Sequence, residues 1–230
     1  DMIKYNTIMF DVDDTILDFK KGEEQALRSL FSEIGAPQNS RIINEYRKIN
    51  RMLWLNFEKG ETDRDYIFRS RFTMLFRKYG IEVDGDDMEQ RYRRYLDMQH
   101  DQIEGAHDVL GYLHSKCHLY VVTNGVSSTQ YRRLSDAKMD TYFEKIFVSD
   151  DIGYQKPMRE FFETVTAQIP EYDPKKTLIV GDSLNADILG GMNMGMDTCW
   201  LNRFDEKASD IVPHYEINEL SEIFEIVKTV

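Results

Sequence analysis

Short apolar runs recur along the chain and are separated by segments with helical periodicity. The runs lie at residues 7–10, 118–122, 146–148, 177–180 and 198–201 and are rich in β-branched and aromatic side chains. Their apolar character is nearly continuous, whereas a strand with one solvent-exposed face alternates between polar and apolar positions. Strands buried on both faces are typical of a parallel sheet covered by helices. The pattern therefore predicts an α/β fold with a Rossmann-like parallel sheet.

The interval between about residues 20 and 100 departs from this alternation. Its apolar side chains follow helical spacing, as the first stretch illustrates with Ala26, Leu27, Leu30, Phe31 and Ile34. Glycine, proline and aspartate interrupt the pattern at residues 35–37, 60–63 and 80–86. We therefore predict a cap of about four helices at residues 18–101, inserted into an α/β core domain formed by residues 1–17 and 102–230.

Composition and charge narrow the classes of function. Hydrophobic residues make up 41% of the chain and charged residues 30%, which excludes a disordered or fibrous protein. A net charge of −12 disfavours nucleic acid polymers and anionic membranes as partners, because both attract basic surfaces. No apolar run approaches the length of a membrane span. Cys117 and Cys199 lie in or beside apolar strand-like stretches, as expected for free thiols in a cytoplasmic protein.

Polar and acidic residues follow three of the predicted strands. Asp11 and Asp13 come after the first strand, Thr123 and Asn124 after the second, and Asp182 after the fourth. Ligands of an open parallel sheet bind in the crevice outside the carboxyl ends of its strands. Segments that are far apart in sequence are therefore expected to converge on one pocket.

The segment DVDDT at residues 11–15 places two carboxylates two residues apart as the chain leaves a strand. One carboxylate can attack phosphorus to form an acyl phosphate, and the other can protonate the leaving oxygen and then activate water. Asp11 suits the first role and Asp13 the second. An aspartate-rich turn that caps a helix is the alternative. A calcium-binding loop is disfavoured, since position twelve counted from Asp11 is Gly22 instead of glutamate.

Two further segments offer groups that bind phosphate. Thr123 and Asn124, followed by Gly125, present a hydroxyl and an amide that can donate to phosphoryl oxygens. Lys156 precedes Pro157 at the predicted start of a helix, from which its ammonium group can reach back to a phosphate. Taken singly, the first segment is more typical of an ordinary turn, and an isolated lysine is more typical of a solvated surface.

The segment GDSLNAD at residues 181–187 leaves a strand and enters a helix, which places Asp182 in the crevice and Asp187 in the first helical turn. Helix capping is the alternative role for this pair. Four acidic residues are thus candidates for one site, namely Asp11, Asp13, Asp182 and Asp187. They would repel a dianionic phosphate unless a hard cation lay among them, and oxygen ligands suit Mg²⁺. We therefore expect Mg²⁺ as a cofactor, bridging Asp11 and the substrate phosphate.

The motifs DVDDT, VVTNG, KP and GDSLNAD, in this order, resemble the haloacid dehalogenase (HAD) superfamily over nearly the whole chain. The helical insertion after the first motif is similar to the superfamily's C1 cap. The resemblance implies a phosphohydrolase with Asp11 as nucleophile, Asp13 as acid and base, Thr123 as phosphoryl-binding hydroxyl, Lys156 as charge-stabilising lysine and Asp182 as Mg²⁺ ligand. It also implies that the backbone carbonyl of Asp13 binds Mg²⁺ and that Asp187 supports the site.

Residues 187–193, 200–202 and 53–60 are similar to the pyrimidine 5′-nucleotidase subgroup of this superfamily. The similarity implies pyrimidine nucleoside 5′-monophosphates as substrates, with Thr123, Asn124 and Lys156 binding the phosphate end. Rings in the cap could stack on the base, and we single out Trp54. The other candidate rings are Tyr46, Phe57, Tyr66, Phe68 and Phe72. Packing in the cap's own small core is the alternative role for all of them.

Two departures from the superfamily pattern and two other functions remain to be weighed. Asp14 stands where glycine is commonest in the first motif, and Tyr154 and Gln155 precede Lys156 where smaller residues are frequent. Dehalogenases lack the second aspartate of the first motif, so the presence of Asp13 favours a phosphatase. The alternatives left open are a phosphosugar or phosphoglycolate phosphatase and a catalytically silent binding protein of the same fold.

Overall fold

The computed structural model describes residues 2–229 and contains one six-stranded parallel sheet. The strand order across the sheet is β3-β2-β1-β4-β5-β6. The strands are β1 (Thr7–Phe10), β2 (His118–Thr123), β3 (Lys145–Val148), β4 (Thr177–Gly181), β5 (Asp197–Leu201) and β6 (Tyr215–Ile217). β1 lies at the centre, where Phe10 pairs with Val121 of β2 and Val180 of β4. The predicted parallel α/β sheet is confirmed.

Both faces of the sheet are buried, as the continuous apolar runs predicted. Along β1, Ile8 and Phe10 pack into one hydrophobic cluster, whereas Met9 packs into a second cluster. The same division holds in β4, where Leu178 and Val180 join the first cluster and Ile179 joins the second. The sheet therefore separates two apolar layers. Polar side chains that bind a ligand or react are presented at the ends of its strands.

Helices supply the rest of the regular structure. The first four are α1 (Phe19–Glu33), α2 (Ser40–Glu58), α3 (Arg64–Arg77) and α4 (Gly85–Asp97). The others are α5 (Ala106–His114), α6 (Ser127–Asp136), α7 (Ser149–Ile152), α8 (Arg159–Thr166), α9 (Gly190–Asn193) and α10 (Ile223–Ile226). Short 3₁₀ turns lie at Asp140–Tyr142, Pro174–Lys176 and Leu220–Glu222, and a π-helical turn spans Leu184–Leu189. A π-helical turn inside a helix is frequent at functional sites.

The chain divides into two compact units. One, the core unit, comprises the residues up to Phe19 and from His100 onward, and the other, the cap unit, is Lys20–Gln99. These boundaries differ by two residues from those expected at 17/18 and 101/102. Within the core unit the two chain segments that lead to the cap lie side by side, because the Asp18 amide donates to the Asp101 carbonyl at 2.7 Å.

The cap unit has its own core, centred on a buried ion pair. The Arg71 guanidinium donates to both carboxylate oxygens of Glu89, with 2.8 Å between Nε and Oε2. The rings of Tyr46, Phe72 and Tyr92 surround it, with the Arg71 guanidinium carbon 5.0 Å from the Tyr92 ring centre. Three of the helices begin at side-chain caps, at Asn39, Asp63 and Asp84. Among the described residues there is no helix long and apolar enough to cross a membrane.

Candidate active site

Asp11 lies directly after the central strand β1, at the carboxyl edge of the sheet. Its amide donates to the Val180 carbonyl at 3.0 Å, which holds the residue beside β4. The Thr15 hydroxyl donates to Asp11 Oδ2 at 3.3 Å from the turn that follows. Only 8% of Asp11 is exposed. The carboxylate is therefore positioned by the backbone of two strands and has little contact with bulk water.

Lys156 is buried in the same place and contacts two carboxylates. Its Nζ lies 3.0 Å from Asp11 Oδ1 and 2.5 Å from Asp187 Oδ1, and the residue is 2% exposed. Burial alone lowers the pKa of a lysine, but the carboxylates of Asp11 and Asp187 outweigh burial and raise the pKa of Lys156 above its ordinary value. Lys156 is thus a buried cation, and the alternative of a solvated surface lysine is wrong.

The Lys156 segment is held by Asn124. The Lys156 amide donates to Asn124 Oδ1 at 2.9 Å, and Asn124 Nδ2 donates to the Lys156 carbonyl at 3.0 Å. The Lys156–Pro157 peptide bond is cis, and helix α8 begins at Arg159, so the predicted helix start at Lys156 was two to three residues too early. The side-chain amide of Asn124 therefore fixes the backbone from which Lys156 reaches Asp11.

Asp187 is completely buried and lies between Lys156 and the turn after β4. The Ser183 amide donates to Asp187 Oδ2 at 3.2 Å. A Cβ atom added to Gly181 would lie 2.1 Å from Asp187 Oδ2, so only glycine lets the strand end approach this carboxylate. Burial, with repulsion from Asp11, raises the pKa of Asp187 to about 7. The helix cap is supplied by Ser183, whose Oγ accepts from the Ala186 amide at 3.0 Å, and not by Asp187.

Three carboxyl groups form a cluster that fits a hard cation. Oxygen atoms of Asp11, Asp182 and Asp187 all lie within 4.8 Å of one another. Desolvation and repulsion from Asp11 and Asp187 raise the pKa of Asp182 well above its ordinary value. One ammonium group does not balance three carboxylates, and an all-oxygen donor set is the kind that Mg²⁺ prefers. The residues present therefore fit a magnesium ion.

Asp13 lies outside that carboxylate cluster and has partners of its own. Arg133 Nη1 donates to Asp13 Oδ1 at 2.5 Å, and Gln130 Nε2 donates to Asp13 Oδ2 at 3.0 Å. Its side chain is 29% exposed. The expected metal contact of Asp13 uses its backbone carbonyl and not its side chain. The side-chain carboxylate can therefore take part in proton transfer.

Thr123 is the last residue of β2 and shares the Gln130 side chain with Asp13. Its hydroxyl oxygen accepts from Gln130 Nε2 at 2.9 Å and from the Gly125 amide at 3.1 Å. Since the oxygen accepts both bonds, the Thr123 proton is free to be donated to another acceptor. Gly125 allows the Gln130 side chain to approach, because a Cβ atom at residue 125 would lie 2.6 Å from it.

Sequence reasoning did not find Gln130 and Arg133. They lie three residues apart on α6, which follows the VVTNG motif, and helical spacing of three places them on one face. Their separation from Asp13 by 117 and 120 residues leaves no local signal of the contact. The only signal in the sequence was the helical spacing, which places Gln130 and Arg133 on one face of α6 without identifying what that face contacts.

Asp14 lies beside the acidic site, where it lines a small pocket together with Asp182. Asp14 has a positive φ of 58°, in the left-handed region that glycine adopts most easily, which accounts for the glycine common at this position.

Trp54 lies in the cap unit on α2, where its ring packs edge-on against Phe57 and Phe68, 5.4 and 6.2 Å away. Tyr46 and Phe72 are fully buried in the cap core, where they have a packing role.

The protein is thus a Rossmann-like α/β protein with an acidic site at the carboxyl edge of its parallel sheet. A family model described as haloacid dehalogenase-like hydrolase matches residues 8–201. The chain belongs to this family of HAD hydrolases.

Individual relatives extend over almost the full length of the chain. The HAD-hydrolase YfnB of Bacillus subtilis is 47% identical over 98% of this chain and 97% of its own. The pyrimidine 5′-nucleotidase PynA of Streptococcus pneumoniae is 36% identical over 96% of this chain and 94% of its own. A crystal structure of YfnB bound to magnesium superimposes with a TM-score of 0.93 and covers 96% of this chain and 98% of the YfnB chain. The expected HAD resemblance is confirmed.

Proposed function

We propose that the protein is a Mg²⁺-dependent phosphomonoester hydrolase that forms an aspartyl phosphate at Asp11. The observation that carries the proposal is the Asp11 carboxylate, which lies 3.0 Å from the buried ammonium group of Lys156 at the carboxyl edge of the sheet. A second carboxyl group, that of Asp13, follows two residues later and is held separately. A nucleophile and an acid–base group on one short turn are what a two-step phosphoryl transfer requires.

In the first step the Asp11 carboxylate attacks phosphorus, so that an Asp11 oxygen–phosphorus bond forms and the ester oxygen–phosphorus bond breaks. Asp13 donates its proton to the departing ester oxygen. In the second step Asp13 takes a proton from water, whose oxygen attacks phosphorus and releases inorganic phosphate from Asp11. Lys156 offsets negative charge on Asp11 and on the phosphoryl group, and Thr123 donates a hydrogen bond to a phosphoryl oxygen.

Asp11, Asp182 and the Asp13 backbone carbonyl would hold Mg²⁺, and the bound ion supplies charge neutralisation at the phosphoryl oxygens. The carboxylate cluster of Asp11, Asp182 and Asp187 supports this assignment, as does the description of the related YfnB structure as bound to magnesium. Asp187 holds Lys156 in place through the 2.5 Å contact between its Oδ1 and Nζ.

A steady-state assay with 4-nitrophenyl phosphate tests the proposal. We expect turnover that requires Mg²⁺, is lost on exhaustive chelation with EDTA and is restored poorly by Ca²⁺, whose looser coordination misplaces nucleophile and phosphate. Asp11→Asn should abolish turnover and leave the fold intact, because an amide does not form the acyl phosphate. Asp108→Asn, at an exposed position of α5, serves as the matched control and should be fully active. Full activity after chelation, or in folded Asp11→Asn, would refute the proposal.

For the substrate we propose pyrimidine nucleoside 5′-monophosphates, with Trp54 stacking on the base. The supporting observations are the 36% identity to the pyrimidine 5′-nucleotidase PynA and the incomplete burial of Trp54 in the cap unit. Stacking of a base on an aromatic ring contributes about 1–3 kcal/mol. We also propose the cytoplasm as its location, consistent with the free thiols of Cys117 and Cys199.

Trp54→Ala separates base stacking from packing. Stacking predicts a KM for dUMP or dTMP that rises about 10-fold with little change toward 4-nitrophenyl phosphate. Packing against Phe57 and Phe68 predicts a lower melting temperature and similar losses on both substrates. A ranking in which sugar phosphates or phosphoglycolate exceed every pyrimidine nucleotide would reject the substrate proposal and leave the phosphatase proposal standing.

A further inference from the structure

Two side chains of α6 hold both oxygens of the Asp13 carboxylate. Arg133 Nη1 donates to Oδ1 at 2.5 Å, and Gln130 Nε2 donates to Oδ2 at 3.0 Å. Arg133 also donates to Gln130 Oε1 at 2.9 Å, so the two side chains orient each other. With its carbonyl oxygen occupied by Arg133, the Gln130 amide must direct its NH₂ group toward Asp13 and Thr123.

Arg133 and Gln130 are buried, whereas the Asp13 carboxylate that they hold is partly exposed. Arg133 and Gln130 are each 1% exposed, whereas the Asp13 side chain is 29% exposed. Arg133 is one of the largest fully buried side chains of the core unit, and its guanidinium carbon lies 5.6 Å from the centre of the Phe19 ring. A buried arginine is held in one orientation by such contacts, and its planar guanidinium then imposes that orientation on a bound carboxylate.

The contacts leave part of the carboxyl group available. A carboxylate has about four lone-pair directions, and Arg133 and Gln130 each occupy one of them. Without these two donors the Asp13 carboxyl would rotate about its terminal torsion, which is broad for an aspartate. The two side chains therefore select one rotamer and leave its remaining lone pairs for a proton in transfer.

We propose that Arg133 and Gln130 are positioning residues that orient the Asp13 carboxyl group for proton transfer to the leaving oxygen. The inference rests on the proposed phosphatase function and assigns two residues to it beyond those of the four motifs. Neither side chain is assigned a contact with the substrate, since Arg133 acts through Asp13 and Gln130 through Asp13 and Thr123.

Substrates whose leaving groups differ in acidity distinguish a misplaced general acid from a general folding defect, because a folding defect lowers kcat/KM equally for both substrates. The 4-nitrophenolate ion departs readily without a proton, whereas the alkoxide of a nucleoside or sugar phosphate needs protonation as it leaves. Correctly placed general acids contribute about 10²–10⁴ in rate. Loss of Asp13 orientation should therefore impair alkyl phosphates much more than 4-nitrophenyl phosphate. The quantity to compare is kcat/KM, which includes only the steps through phosphoryl transfer to Asp11.

The experiment uses Arg133→Met, Gln130→Met and Arg133→Lys in the full chain with Mg²⁺, assayed on dUMP and 4-nitrophenyl phosphate. Both methionine variants keep an unbranched side chain of similar length and remove the donors to Asp13. We expect kcat/KM for dUMP to fall at least about 10-fold more than for 4-nitrophenyl phosphate, through kcat instead of KM. Arg133→Lys should recover part of the loss.

Arg132→Met is the matched control. Arg132 is the neighbouring residue on α6, with its side chain 54% exposed and 3.6 Å from Asp136, and its removal should change neither substrate. If Arg133→Met does not fold, Gln130→Met tests the contact with the other carboxylate oxygen of Asp13, Oδ2, without removing a buried charge. Equal losses on the two substrates, or none, would overturn the inference while an active wild type upholds the phosphatase proposal. An inactive wild type would overturn both.

Discussion

Lys156 brings one positive charge into a buried site that contains several carboxyl groups. Its ammonium group contacts Asp11 and Asp187, and both its backbone polar groups are bonded to Asn124. A buried charge of this kind depends on its partners, because removing one member of a buried ion pair leaves the others uncompensated. The function of Lys156 and the stability of the site are therefore coupled through the same contacts.

Replacing Lys156 by methionine should lower both turnover and stability. We expect kcat to fall about 10²–10³-fold, as on removal of one electrostatic donor. The free energy of unfolding should fall by about 3 kcal/mol, because Asp11 and Asp187 lose their cation. Lys175→Met, at an exposed position, is the control and should alter neither quantity measurably. Wild-type kinetics in a folded Lys156→Met preparation would contradict the assigned role.

At the scale of the elements, five of the six described strands were predictable and the contacts between distant elements were not. The runs that end near Asp11, Thr123 and Asp182 could be recognised because buried parallel strands are continuously apolar. Strand β6 was missed, since it has three residues with the exposed Glu216 in the middle and lies at the sheet edge. The contact of α6 with Asp13 was missed because helical spacing identifies a face without telling what packs against it.

The end of β4 tests how closely the elements of the site approach. Gly181→Ala would place a Cβ atom 2.1 Å from Asp187 Oδ2, and the buried Asp187 is held there by Lys156 and the Ser183 amide. We expect this variant to lose turnover and melting temperature together. At Gly111 of α5 the nearest atoms to an added Cβ belong to Tyr142, 3.8 Å away. Gly111→Ala should therefore retain activity and gain up to about 1 kcal/mol from helix propensity. Similar results for both variants would contradict the described packing.

At the scale of the whole molecule the chain consists of two units with separate cores. The cap unit depends on the buried Arg71–Glu89 pair, in which Arg71 is 3% exposed. Burial alone lowers an arginine pKa, but Tyr46 and the carboxylate of Glu89 outweigh burial and raise the pKa of Arg71 above its ordinary value. The insertion and its helices were predictable from periodicity. The pairing of Arg71 with Glu89 was not, because it links two helices within the cap.

Arg71→Met should destabilise the cap unit selectively. Glu89 keeps Arg93 at 2.9 Å but loses its buried partner, so we expect a loss near the lower end of about 3–5 kcal/mol. Amide hydrogen exchange should accelerate in residues 20–99 and stay unchanged in the strands of the core unit. Lys78→Met, which removes an exposed pair with Glu45, should cost less than about 1 kcal/mol. Uniform acceleration across both units would show that they do not open separately.

The most direct test of the proposed chemistry is mass spectrometry of enzyme quenched in acid during turnover with Mg²⁺ and a phosphomonoester. An aspartyl-phosphate mechanism predicts that the peptide containing Asp11 carries the added mass of one phosphoryl group and that fragmentation places it on Asp11. The same peptide from Asp11→Asn should be unmodified, and that variant should release no phosphate. Sustained turnover with phosphate found on another residue, or equal turnover by Asp11→Asn, would contradict the account.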